Sequence, residues 1–198
     1  MPIEAGATYM VTRRCTQGKC FFPPTEYVSN IAAYALGIGQ LYSGVELHAF
    51  CFNTNHWHGV LTDPRAMLPR FMEQTNGTIG RVLNWHFGRS EILFRRERFQ
   101  RARLLDHATV LAQAIYTQSN PVKDQLVESM SEWPGLSSHG VSEDPSTWWS
   151  FVAGVEISAD QREKTITVRK PPRFFSKRMP DEVEIRLTVP ALFEGEPK

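Results

Sequence analysis

The chain has 198 residues, 41% of them hydrophobic and 22% charged, with a formal net charge of +1. That is the balance of a soluble globular protein long enough for one well-buried domain plus an appendage, and it excludes bulk disorder. No run approaches the roughly 18 apolar residues of a membrane span, no apolar segment follows the early basic residues, and three scattered cysteines make no disulfide framework, so a cytoplasmic protein is expected.

The near-neutral total hides an asymmetry. Residues 1 to 123 carry 13 Lys and Arg against 8 Asp and Glu, whereas 124 to 198 carry 9 against 13. The first part is therefore the expected nucleic-acid surface. Within it, residues 81 to 103 hold seven arginines and two glutamates, interleaved with Trp85, His86, Phe87, Phe94 and Phe99. Arginine among aromatics suits phosphate contact combined with base stacking on single strands.

In chain order, residues 8 to 16 are rich in β-formers and predict a first strand. Phe21-Phe22-Pro23-Pro24 breaks it. A helix is predicted from Thr25, as cap, to about Leu36, with Tyr27, Ile31, Tyr34 and Ala35 inward and Gly37, Gly39 and Gly44 punctuating its end. Residues 45 to 53 and 56 to 62 predict an antiparallel pair joined by a turn at Asn53-Thr54-Asn55. Asp63-Pro64 then opens a helical stretch to about His86, with breaks expected around Pro69, Gly77 and Gly80. Residues 92 to 105 predict a hairpin or an irregular strand pair. Asp106 caps a further helix whose apolar residues Ala108, Leu111, Ala112 and Ile115 recur at spacings of three and four. The order of strands and helices is that of a ferredoxin-like α+β sandwich with an antiparallel sheet.

On a strand, side chains alternate, so in Asn55-His56-Trp57-His58 the two histidines share a face and Trp57 takes the other. Two imidazoles on one face are what a metal site needs. On the helix that follows, Tyr116 sits at the border of the apolar stripe, in line with Thr109, Gln113 and Asn120, where a side chain can face a cleft.

This combination resembles the single-tyrosine HUH transposases. It is a His-hydrophobic-His strand, then, about sixty residues later, a helical tyrosine with Asn120-Pro121-Val122 four residues on. It is most similar to their REP-associated tyrosine transposase branch, relatives of the smallest insertion-sequence transposases. Tyr9-Met-Val-Thr-Arg13-Arg14, His48-Ala-Phe-Cys-Phe and Leu68-Pro-Arg-Phe-Met add to the likeness, which spans about residues 8 to 127. The resemblance implies an HUH catalytic domain over residues 1–127 and a C-terminal extension over 128–198. It implies Tyr116 as nucleophile forming a 5′-phosphotyrosine. It also implies His56, His58 and Asn120 around Mg²⁺ or Mn²⁺, with Gln113 the alternative to Asn120 because Pro121 disfavours α geometry at position 120. Imperfect-palindrome hairpins are the implied substrate.

Single-stranded or hairpin DNA also fits the lack of any helix-turn-helix, zinc-finger or basic-zipper signature. Arg13, Arg14, Arg81, Arg95, Arg96, Arg98 and Arg101 are the candidate DNA contacts. Neither a small-molecule substrate nor a membrane is expected, and monomer and homodimer both stay open. Two other readings compete: a domesticated relative that binds hairpins without cutting, and a zinc protein using His48, Cys51, His56 and His58. Toward the C-terminus, an acidic segment from Asp124 to Asp160 is followed by a basic stretch over 161 to 178, in which Lys170 to Arg178 resembles a positively charged extended arm, and by an alternating strand from Val183; docking of this tail on the core through Trp148 and Trp149, contact with DNA and binding to its own acidic segment all stay open.

Overall fold

The computed structural model describes residues 2–95, 99–141, 163–171 and 179–190. Arg96, Arg98, Trp148, Trp149 and residues 161–162 and 172–178 of the basic stretch lie outside them.

The first strand, β1 (Ala7–Arg14), is followed by helix α1 (Glu26–Ser43), strands β2 (Glu46–Phe52) and β3 (His56–Asp63), helix α2 (Leu68–His86), strand β4 (Gln100–Leu104) and helix α3 (His107–Lys123). A short helix α4 (Ser138–Val141) and strands β5 (Glu163–Arg169) and β6 (Glu182–Thr188) complete the described chain. The sheet runs β4-β1-β3-β2-β6-β5. Its first four strands are antiparallel and have the βαββαβ connectivity and strand order of a ferredoxin-like sandwich. β6 joins β2 in parallel and pairs with β5 antiparallel, so part of the C-terminal extension continues the same sheet.

α1 and α2 cover one face, where the main core gathers Tyr9, Val11, Ile31, Leu36, Leu47, Phe50, Trp57, Leu61, Phe71 and Leu83 with Val183, Ile185 and Leu187 of β6. α3 covers the other face with a smaller cluster: Met10, Ala49, Val60, Leu104 and Val110, joined by Ala114 and Tyr116. Between Leu47 and Ala49 the pairing of β2 with β3 slips by one residue, leaving His48 as the bulged position.

Several helix boundaries differ from the sequence reading. α1 does not end near Leu36 but runs through Gly37 and Gly39 to Ser43, and Gly44 ends it at φ 69°. The two internal glycines serve close approach rather than termination. A Cβ at Gly37 would stand 2.6 Å from Val183 Cγ2, and one at Gly39 2.8 Å from the Phe71 ring. α2 begins at Leu68, with Pro69 in its first turn where a missing N–H costs nothing, and continues unbroken past Gly77 and Gly80. Asp63 caps its approach by accepting from the backbone N–H groups of Met67 at 2.8 Å and Leu68 at 2.6 Å. The caps Thr25 and Asp106 stand where expected, accepting from Val28 N and Thr109 N. Among the described residues of 92 to 105 there are β4 and a bridge from Phe94 to Cys15; residues 96–98, in the middle of the expected strand pair, lie outside them.

His48 ties three strands together. Its ring is 1% exposed, with Nδ1 2.7 Å from the Thr188 carbonyl and Nε2 2.8 Å from the Thr62 hydroxyl. A carbonyl only accepts, so Nδ1 carries the proton and Nε2 accepts from Thr62. Burial holds the imidazole neutral, lowering its pKa from 6.5 to about 4. A histidine so depressed contributes its full stability above pH 6.5 and loses it as the pH falls through about 4, a change of up to roughly 3 kcal/mol. Urea midpoints should therefore fall between pH 6.5 and 4, and His48→Gln should show a shallower fall. A variant as steep as the wild type would place this acid sensitivity elsewhere.

Candidate active site on the α3 face

β3 places its side chains as the alternation requires. Trp57 is fully buried on the α1 and α2 side, while His56 and His58 are buried beneath α3. Directly across on β1, Arg14 pairs with His56 and Thr12 with His58, so these share the histidine face. The two rings stand edge to face, 4.6 Å between centroids. Tyr116 lies edge-on to His58 at 5.5 Å.

α3 presents a face other than its apolar stripe. Val110, Thr117, Gln118, Asn120 and Pro121 are buried, whereas Ala108 and Ala112 are exposed and Leu111 and Ile115 only half-buried. The stripe at 108, 111, 112 and 115 therefore does not face the core. The inner face joins Val110, Ala114 and Tyr116 of the small apolar cluster to Asn120, which is 2% exposed and whose Oδ1 lies 3.1 Å from His56 Nε2. Pro121 does not displace Asn120 from helical geometry, since α3 continues to Lys123 and Asp124 N donates to the Asn120 carbonyl at 2.9 Å. Pro121 has no N–H to give the Thr117 carbonyl, so its cost falls on the turn before it.

The hydrogen bonds fix how each group points. Asn55 donates through Nδ2 to the Gly18 carbonyl at 3.2 Å, which leaves its Oδ1 to accept from His56 Nδ1 at 2.7 Å. The proton of neutral His56 therefore sits on Nδ1, and Nε2 directs a lone pair at Asn120. Thr12 Oγ1 holds His58 Nδ1 at 2.8 Å. Asn53 Nδ2 donates both to Asn120 Oδ1 and, at 2.9 Å, to Asp124 Oδ2.

Burial lowers the pKa of both imidazoles, that of His58 to about 3, where His56, Arg14 and Lys123 lower it further. At neutral pH both rings are therefore uncharged. Asp124 opposes the shift at His56. Lys123 places its ammonium 4.4 Å from the Tyr116 ring centroid. Two cations, Arg14 and Lys123, thus lie near a pair of neutral imidazoles and a tyrosine.

The candidate arginines divide between the faces. Arg14 lies with the histidines. Arg13, Arg81 and Arg95 line a cleft of about 610 Å³ beside α2, with Phe94, Phe99, Asn76 and Asn84. Arg13 stacks on Phe94 and donates to the Arg95 carbonyl at 2.8 Å. Arg101 pairs with Val11 on that same side and lies over Phe99. Strand alternation separates Arg13 from Arg14.

His48 and Cys51 do not join His56 and His58. His48 is engaged with Thr62 and Thr188, the Cys51 thiol donates to Asn53 Oδ1, and among the described residues no group of three His, Cys, Asp or Glu could hold a metal. The described helices include none long and apolar enough to cross a membrane. Residues that sequence reading passed over are Thr12, Asn53, Asn55, Lys123 and Asp124. The signal for the last two was the spacing 116, 120, 123 and 124, which keeps one helix face for two turns.

No protein-family model and no curated protein sequence matches the chain. Among solved structures, a REP-associated tyrosine transposase bound to a REP hairpin superposes over 71% of this chain and 81% of its own length, with TM-score 0.60 and 15% identity. A candidate transposase from Deinococcus radiodurans aligns with 62% of this chain and 92% of its own at TM-score 0.42 and 15% identity, too distant to carry weight. The mixed α+β architecture, a six-stranded sheet flanked by helices, is the fold of that tyrosine transposase.

Proposed function

We propose that the protein nicks and rejoins single-stranded or hairpin DNA, with Tyr116 as nucleophile and a divalent cation held by His56, His58 and Asn120. The observation that carries this reading is the convergence of two neutral imidazoles, an amide oxygen and a tyrosine on one sheet face. The donor set fits the metal: His56 Nε2 and Asn120 Oδ1 lie 3.1 Å apart, a spacing suited to two adjacent ligands of one ion. Mixed imidazole and carbonyl donors suit Mg²⁺ or Mn²⁺. When bound, the ion supplies Lewis-acid polarisation of a phosphoryl oxygen.

The chain's own residues account for the rest. Tyr116 Oη attacks phosphorus, the bond from phosphorus to the 3′-oxygen breaks, the phenol loses its proton and the leaving oxygen gains one. The product is a 5′-phosphotyrosine with a free 3′-hydroxyl, and the stored phosphodiester allows strand transfer. Arg14 and Lys123 draw the backbone to the site. The arginines and aromatic rings of the α2 cleft offer phosphate and stacking contacts to another stretch of the strand. The fold shared with a transposase bound to a REP hairpin supports hairpin DNA as substrate.

The test uses 5′- and 3′-labelled hairpin DNAs with Mn²⁺, read on a denaturing gel. A covalent adduct is expected with the wild type and none with Tyr116→Phe. Hairpin binding without an adduct, across a panel of sequences, would overturn cutting and favour a non-cutting hairpin binder.

A further inference from the structure

We propose that Asn53 is a positioning residue that holds the Asn120 amide with its oxygen, rather than its nitrogen, aimed at His56, and that Asp124 anchors Asn53 in that role. The inference rests on the metal-centre reading above and adds residues outside the ligand set.

An amide can be turned over with almost no change of shape, so its orientation is decided by its neighbours. Asn53 has three. Asp124 Oδ2 lies 2.9 Å from Nδ2, and a carboxylate only accepts. The Cys51 thiol lies 3.5 Å from Oδ1 and donates there. Both contacts put the Asn53 nitrogen toward α3. Its remaining N–H reaches Asn120, which must answer with oxygen. That same oxygen faces His56 Nε2, whose proton is kept on the far nitrogen by Asn55.

With the His56 proton on Nδ1, this contact of 3.1 Å sets two acceptors against each other, a pair that a bound cation would satisfy. Left to itself, Asn120 would relieve this by turning over, and its NH₂ would then donate to His56 Nε2 and close the pair to any cation. Asn53 forbids the turn, because a turned Asn120 would set nitrogen against nitrogen. Asn120 and Asp124 are one helical turn apart, so one side chain from the β2–β3 turn engages both.

The discriminating variant exchanges the two partners. Asn53→Asp with Asp124→Asn preserves size, net charge and the number of hydrogen bonds but reverses their direction. The carboxylate then standing on the β2–β3 turn would accept both from the amide introduced on α3 and from a turned Asn120. Net charge is unchanged in this variant, so charge alone predicts no loss of metal affinity, whereas the positioning role predicts a fall. Mn²⁺ affinity of the full chain, measured by titration calorimetry, should fall at least about tenfold, the scale on which groups orienting metal ligands act. The metal-free urea midpoint should hold or rise.

Affinity equal to or tighter than the wild type would overturn the assignment. Asn53→Ala, which removes the donor without adding charge, should also weaken Mn²⁺ binding about tenfold if the double variant fails to fold, and unchanged affinity there would equally overturn it. No Mn²⁺ binding by the wild type would remove the metal centre and the clamp together. Wild-type binding that is lost in His58→Ala but kept in both Asn53 variants would remove the clamp alone.

Discussion

On the proposed mechanism, replacing His58 with alanine is expected to lower Mn²⁺-dependent cleavage by about 10³-fold or more, the consequence of losing several kcal/mol of charge stabilisation at phosphorus. His58 is suited to a ligand's role because it is neutral: burial and three neighbouring positive or titratable groups take its pKa down to about 3. Thr12 orients the ring from the adjacent strand, and Tyr116 lies against its edge. The variant should fold, since the site lies off the main core cluster and alanine leaves no charge buried. Adduct yield against Mn²⁺ concentration is the measurement. Cleavage within about tenfold of the wild type at saturating Mn²⁺ would take His58 out of the chemistry.

The opposite face of the same strand should give the largest loss of stability. Trp57 is fully buried, stacks on Phe52 at 5.4 Å with planes 13° apart, and donates from Nε1 to Asn76 Oδ1 at 3.1 Å. Trp57→Ala removes the largest fully buried side chain of the core and leaves the Asn76 oxygen without that donor, which should cost about 3–5 kcal/mol. Urea unfolding followed by fluorescence and circular dichroism tests this. A loss below about 1 kcal/mol would mean that the sheet collapses around the gap. Because Trp57 lies between the two histidines in sequence, the variant should also weaken Mn²⁺ binding at temperatures where it remains folded.

Much of this was legible in the residues. Period two in β3 put His56 and His58 on one face and Trp57 on the other, and the side-chain oxygens of Thr25 and Asp106 marked the starts of α1 and α3. The spacing of Tyr116 and Asn120 marked one helix face. These are local properties, set by backbone geometry within a few residues, and they survive any packing of the elements.

What resisted was whatever depends on a distant partner. Gly37 and Gly39 look like helix stops until Val183 and Phe71 are seen against them. The apolar stripe of α3 was a misleading guide, because the inner face is made by Val110, Ala114 and Tyr116 together with Asn120, and the stripe at 108, 111, 112 and 115 lies away from it. Adjacent arginines, Arg13 and Arg14, serve opposite faces of the sheet. β6 lies beside β2, some 140 residues away in the chain, and His48 is buried through that contact. Asn53 reads as an ordinary turn residue and gains its meaning only from Asn120 and Asp124. By itself, then, the sequence determined the elements, their caps and the histidine and tyrosine faces. Only the tertiary structure decided which faces meet, because long-range contacts, close backbone approach and the direction of buried hydrogen bonds are properties of pairs of elements that no local pattern encodes.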